Sequence, residues 1–212
     1  MPGLSSNQPS STVVAFAEFL ASQGFLPPKR VVDIGCGVGR NSMYLAGLGF
    51  EVHAMDYIRQ AVSSLAEKAG AGGLREMVNV IEAPIDSTWP FAGGFFDAAV
   101  DCFSSIDIET LSGRQVCRGE MFRTLKPGGY AMVAVVSSSD EFEREMSVRS
   151  PGAEKNSVIW PNGKFQKNYV KGELEGFYSC FKILRLFEVK KPAYKLGRHY
   201  TATNLVCYLR KE

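Results

Sequence analysis

The stretch V-V-D-I-G-C-G-V-G-R-N-S, residues 31–42, passes from strand to helix across three glycines. Arg30–Ile34 reads as a short apolar strand that carries an acid, Asp33, next to its end. Gly35, Gly37 and Gly39 follow at alternate positions, and Asn41–Leu48 reads as a helix. Glycines let the backbone turn sharply and let a ligand approach with no Cβ in the way. The unpaired N–H groups at the start of the next helix face the same space. The bend therefore presents main chain to a polar ligand. The dinucleotide fingerprint is spaced G-x-G-x-x-G. Here Arg40 stands where its last glycine belongs, and a bulky side chain there opposes the close helix–strand packing which that glycine permits. Asp33, an anion two residues before the first glycine, suits a ligand with positive charge better than a pyrophosphate.

Downstream, Glu51–Met55 reads as the next strand and ends at Asp56, 21 residues beyond Gly35. A carboxylate at that point can accept both hydrogen bonds of a ribose diol. Strand, acid, glycines, helix, strand and acid in that order point to a nucleoside-type ligand. The alternation continues: Ile58–Ala69 reads as a helix, Val78–Ile81 and Phe95–Val100 as strands, and Glu109–Leu125 as a helix. Lys126-Pro127-Gly128-Gly129 reads as a turn and Tyr130–Val136 as an apolar strand. Strands alternating with helices imply an α/β fold with parallel strands.

Outside this frame, residues 1–10 read as a loose arm and Ser11–Gln23 as a helix, closed by Gly24 and Pro27-Pro28. The polar stretch 138–168 reads as a helical piece followed by a long mobile segment, a candidate lid over 138–170. Gly172–Cys180 reads as a last helix. Phe181–Val189 and Thr201–Leu209 read as strands split by Lys190–Tyr200, too short a link for a helical crossover, so this pair should be antiparallel. The expectation is one domain over 1–212, with 1–28 as an N-terminal arm and helix.

Composition sets bounds on the function. Of 212 residues, 45% are hydrophobic and 22% charged, the balance of a globular protein. The net charge of +2 is too small to argue for nucleic acid. Residues 1–149 carry 12 Lys/Arg against 17 Asp/Glu, whereas 150–212 carry 12 against 5, a basic third able to attract an anion. Cys36, Cys102, Cys117, Cys180 and Cys207 are scattered with no C-x-x-C pair, so no metal site is expected and a reducing, cytoplasmic setting fits. No secretory signal and no membrane-length apolar run are read.

With these residues in view, the chain resembles the class I S-adenosyl-L-methionine-dependent methyltransferases from about Val31 to Leu209. D-I-G-C-G-V-G-R matches that family's first motif, Asp56 its ribose acid, F-F-D-A-A-V-D (95–101) its fourth-strand motif, and R-T-L-K-P-G-G-Y (123–130) the turn before its fifth strand. Within the family, G-C-G-V-G-R-N-S-M-Y-L-A, G-F-E-V-H-A-M-D and K-G-E-L-E-G-F-Y (171–178) look like the tellurite-resistance type. The resemblance implies a Rossmann-like, seven-stranded, mostly parallel sheet of order 3-2-1-4-5-7-6 with strand 7 antiparallel and helices on both faces. It implies S-adenosyl-L-methionine as cofactor, with Asp33 and the Gly35 carbonyl near the methionine ammonium. Cys36, Gly37 and Gly39 would lie along the nucleoside, Asp56 on the ribose and Tyr57 on the adenine face. Arg40 would serve the cofactor carboxylate or a structural ion pair. Aligning Trp89-Pro90-Phe91 with the family's L-P-F puts Ile85 where an Asp usually stands and Asp86 one place late, so the adenine edge falls to one of these two. Asp101 and Cys102 end the fourth strand, near the ammonium end of the cofactor.

The resemblance further implies in-line displacement of the methyl group by an acceptor, achieved mainly by alignment and exclusion of water. No catalytic base is conspicuous; His199 and Tyr200 are the weak candidates. Trp160 is placed in the lid, as a surface anchor or a shield for the sulfonium, and His53 is read as packing. D-C-F-S after the fourth strand is not the N-P-P-Y pattern of nucleobase amine enzymes. The expected partner is thus a small-molecule acceptor, anionic or chalcogen-type, with no nucleic acid and no membrane. The alternatives are an RNA or protein methyltransferase, or a non-catalytic module that binds the cofactor.

Overall fold

The computed structural model describes residues 8–212; residues 1–7 of the expected loose arm lie outside the described residues. The chain runs α1 (Ser11–Ser22), β1 (Arg30–Ile34), α2 (Arg40–Gly47), β2 (Glu51–Asp56), α3 (Arg59–Ala71), β3 (Val78–Glu82) and β4 (Phe96–Cys102). A 3₁₀ turn at Ser105–Asp107 leads to α4 (Leu111–Thr124), β5 (Leu125–Val136), α5 (Glu141–Arg149), β6 (Ser157–Ile159) and β7 (Phe165–Lys167). It ends with α6 (Lys171–Phe177), β8 (Lys182–Lys195) and β9 (Arg198–Arg210).

Seven strands form one sheet in the order β3-β2-β1-β4-β5-β9-β8, and β6 pairs with β7 in a separate hairpin. The first five are mutually parallel; β9 runs antiparallel to both β5 and β8. This is the expected order once β6 and β7 are counted in the chain numbering. The continuous apolar strands have their explanation in two covered faces, because successive side chains point to opposite sides. Val133 and Val135 join one buried cluster with Trp89, Met121 and Leu174, whereas Met132 and Ala134 join the other with Phe16, Leu45 and Leu65.

Four expectations are corrected. Stretch 138–168 is not an unstructured segment: after α5 it folds into the β6–β7 hairpin, whose Val158 is fully buried and whose Phe165 and Gln166 are nearly so. Its polarity misled because it is satisfied locally, as where Gln166 donates to Asn168 at 2.7 Å. The last two strands are not split over Lys190–Tyr200. They run to Lys195 and from Arg198 around Leu196-Gly197, both at positive φ, which makes a tight turn where the sequence shows only one glycine. Residues 126–129 are not a separate turn but the start of β5, with a register shift between Phe96 and Ala98. Helix α4 starts at Leu111 rather than Glu109, after a 3₁₀ turn that periodicity did not reveal.

Candidate functional site

A crevice of about 780 Å³ opens at the C-terminal ends of the parallel strands, where β1 lies between β2 and β4. Ligands of open α/β sheets bind at this place, beside the strand at which the order reverses. Gly35, Asp56, Tyr57, Ile58, Ile85, Asp86 and Ser104 line one part of it. Asp107, Ile108 and Glu109 line the rest, with Ile159, Asn162, Gly163, Lys164 and Phe165 of the β6–β7 hairpin closing over them.

Asp56 ends β2 and is 7% exposed. Its two oxygens are aimed by main chain, one accepting from Gly37 N at 2.9 Å and the other from Ile58 N at 2.9 Å. A carboxylate has about four acceptor positions, so capacity remains on the crevice side. The glycines do different work. Gly35 has φ +65° and a Cβ there would lie 2.4 Å from the Ser104 Cβ. Ser104 Oγ then donates to the Gly35 carbonyl at 3.0 Å, tying the glycine bend to the end of β4. Gly39 has φ +82° and a Cβ there would lie 2.1 Å from Leu65 Cδ1 of α3. Gly39 thus supplies the close packing that the dinucleotide fingerprint obtains one residue later, which explains how Arg40 is tolerated.

Asp33 does not reach the crevice surface. It is 1% exposed and accepts from Ser42 Oγ at 2.6 Å. Burial pushes its carboxyl up to about 6, against the Ser42 hydrogen bond and the Arg40 charge. Arg40 makes no ion pair within 4 Å among the described residues. Asp101 is fully buried; one oxygen accepts from Ser104 N and Ser105 N, both at 3.1 Å, and the other has no partner in the protein. Burial raises its carboxyl above the usual range. By gripping those two N–H groups Asp101 shapes the 3₁₀ turn that carries Asp107 to the crevice. Cys36 and Cys102 stand behind the surface, their thiols raised by burial.

Ile85 and Asp86 both face the crevice, Ile85 buried and Asp86 exposed. The buried Trp89 fixes them: its indole N–H donates to the Ile85 carbonyl at 3.0 Å. His53 packs edge-on among Phe91, Phe95 and Phe96, as expected. The structure does not bring His199 and Tyr200 to the crevice. His199 is exposed beside Tyr194, and Tyr200 packs against Phe142, both at a shallow depression with Glu141 and Lys190. Trp160 also stands off the crevice. Its ring lies 5.2 Å from that of Phe142, and its N–H donates to Gln166 at 3.2 Å.

Phe103, Ser104, Asp107 and Lys164 escaped the sequence reading. Phe103 takes φ +66°, a strained value for a bulky residue, in turning the chain from β4 toward Ser104. Asp107 pairs with Lys164 across the crevice at 2.6 Å. Burial pushes the Asp107 carboxyl up to about 6, with Lys164 working against that shift. Arg114 braces this wall. It is 1% exposed, donates to the carbonyls of Ile108 at 2.7 Å and Glu109 at 3.1 Å, and pairs with Glu154 ahead of the hairpin. A lone Arg inside a helix gave no signal for this.

Comparison with known proteins agrees with the geometry. Residues 31–129 match the family model of the methyltransferase domain. A demethylmenaquinone methyltransferase of Beutenbergia cavernae is 32% identical over 120 residues, 56% of this chain and 45% of that one. TehB of Haemophilus influenzae is 33% identical over 57 residues, 27% of this chain and 20% of that one. The chain therefore spans less than half the length of these relatives. In structure, an S-adenosylmethionine-dependent methyltransferase of Methanosarcina mazei superposes with TM-score 0.77 at 21% identity, over 90% of this chain and 96% of that one. TehB of H. influenzae superposes with TM-score 0.66 at 19% identity, over 92% and 62%. At these identities the structural likeness is one of fold, and the sequence matches supply the rest. The chain carries a methyltransferase domain of the class I S-adenosyl-L-methionine-dependent family, with likeness to the TehB type.

Proposed function

We propose that the protein transfers a methyl group from S-adenosyl-L-methionine, held in the β1/β2/β4 crevice, to a small-molecule acceptor. The observation that carries this reading is the Asp56 carboxylate, locked by Gly37 and Ile58 N–H groups at the crevice floor with acceptor capacity to spare. The residues fit the cofactor. A Cβ at Gly37 would meet nothing within 4 Å, so the backbone there stands open. Asp56 is suited to the ribose diol, Tyr57 to the adenine face, and Ile85 or Asp86 to the adenine edge. Asp33 and Asp101 place two buried carboxyls behind the end meant for the methionine ammonium.

When bound, the cofactor supplies a methyl group already activated on a sulfonium. The chain's own task is to align and to exclude water, which supplies roughly 7–11 kcal/mol in favourable cases. The hairpin residues over the crevice are placed for the second of these roles. A crevice of about 780 Å³ falls within the usual range for small-ligand pockets. The basic C-terminal third does not favour an anionic acceptor here. Of its cations only Lys164 lines the crevice, and Asp107 neutralises it.

Calorimetry with S-adenosyl-L-methionine and S-adenosylhomocysteine tests the reading. Asp56→Ala should weaken both by about 1–3 kcal/mol, the range for stranding buried polar partners. Unchanged affinity in that variant would remove Asp56 from the site.

A further inference from the structure

Once the residues assigned to the cofactor are set aside, the crevice keeps a second part bounded by Asp107, Ile108, Glu109, Ile159, Lys164 and Phe165. Its chemistry is specific. Ile108, Ile159 and Phe165 supply apolar surface. Asp107 and Glu109 supply carboxylates, and Lys164 is the one cation lining this crevice. Lys164 does not offer its charge to a ligand: its Nζ sits 2.6 Å from Asp107 Oδ2. An alkylammonium thus already occupies this carboxylate, delivered by the chain itself from the turn between β6 and β7. The other oxygen, Oδ1, is buried and has no hydrogen-bond partner in the protein. The groups that act on this carboxyl are Lys164 from the hairpin in front and Asp101 of β4 behind, the second repelling negative charge.

Resting on the proposed methyltransferase reading, we infer that the acceptor carries an ammonium group beside an apolar body, and that Asp107 binds it in the position Lys164 Nζ takes. An oxyanion at this place meets Asp107, Glu109 and the field of Asp101 against one neutralised lysine. An ammonium meets a carboxylate whose geometry already accommodates one, with a spare oxygen for a second N–H. Lys164 then acts as an internal competitor, which the acceptor displaces as it enters beneath the hairpin. At neutral pH the Asp107 carboxyl, pushed up to about 6, is ionised and able to hold a cation.

The test uses three probes of similar shape on protein saturated with S-adenosylhomocysteine: phenethylammonium, 2-phenylethanol and phenylacetate, with tellurite as a fourth. Binding is read by calorimetry or by shifts in the methyl spectrum of the isoleucines. Phenethylammonium should bind at least tenfold tighter than phenylacetate and tellurite. Asp107→Asn should abolish that preference while leaving S-adenosylhomocysteine affinity unchanged, and Lys164→Ala should tighten phenethylammonium several-fold. Tighter binding of phenylacetate or tellurite, an Asp107→Asn variant that still prefers the cation, or no binding of phenethylammonium overturns the inference. Failure of S-adenosylhomocysteine to bind at all is a different result and overturns the methyltransferase reading itself.

Discussion

Asp33 shows how one residue can be legible in its presence and illegible in its state. The sequence places an acid before the glycine bend; the structure buries it behind the bend, bonded to Ser42. A carboxyl held at about 6 in the fold, against an ordinary 3.8, binds a proton more readily folded than unfolded. Its contribution to stability is therefore whole below about pH 4 and is lost as pH rises through about 6. Asp33→Asn keeps an acceptor for Ser42 and has no ionisation to penalise. Relative to the wild type it should gain roughly 3 kcal/mol above pH 6 and nothing near pH 3.5, from a shift of about two units at about 1.4 kcal/mol each. Denaturant melts across pH 3.5–7.5 check this, and parallel curves for the two proteins would refute it. Gly39 was legible as a glycine but misread as facing a nucleoside, because spacing reports where backbone freedom is needed and not which neighbour needs it. Gly39→Ala, with its overlap on Leu65, should lower stability by about 1–3 kcal/mol; a melt unchanged within error contradicts the packing role.

Among the elements, those fixed by long runs of burial were readable, and those fixed by a few polar contacts were not. Strands β1, β2, β4 and β5 announce themselves because both faces are covered and nearly every residue is apolar. The 3₁₀ turn at Ser105–Asp107 exists because Asp101 grips two N–H groups, and the β6–β7 hairpin exists because side chains such as Gln166 and Asn168 bond each other. Neither leaves a periodic trace, and these are the elements that finish the crevice. Arg114 joins them through the carbonyls of Ile108 and Glu109 and through Glu154. Removing one partner of a buried ion pair costs about 3–5 kcal/mol. Arg114→Ala should therefore destabilise by that order and speed amide exchange over residues 157–167 more than in β1 or β4. Uniform exchange across the chain would show that Arg114 does not hold this wall.

For the whole molecule, the sheet order β3-β2-β1-β4-β5-β9-β8 places the strand ends that carry the glycine bend, Asp56 and Asp101 around one crevice. That convergence was foreseeable from the motifs, since each marks the C-terminal end of a parallel strand. The acceptor side was not, because it is assembled from residues some 50 positions apart, Asp107 and Lys164, that meet only in the folded chain. The cation-rich C-terminal third drew attention to an anion, yet most of its charge lies along β8 and β9, away from the crevice. Among the described residues no helix is long and apolar enough to cross a membrane.

The central claim is that this crevice holds the cofactor against Asp56. A crystal structure of the protein grown with S-adenosylhomocysteine tests it most directly. The account predicts the ribose hydroxyls within hydrogen-bond distance of the Asp56 carboxylate and the adenine between Tyr57 and the Ile85–Asp86 segment. A nucleoside bound elsewhere, or a crevice that stays free of it at saturating concentration, would contradict the account.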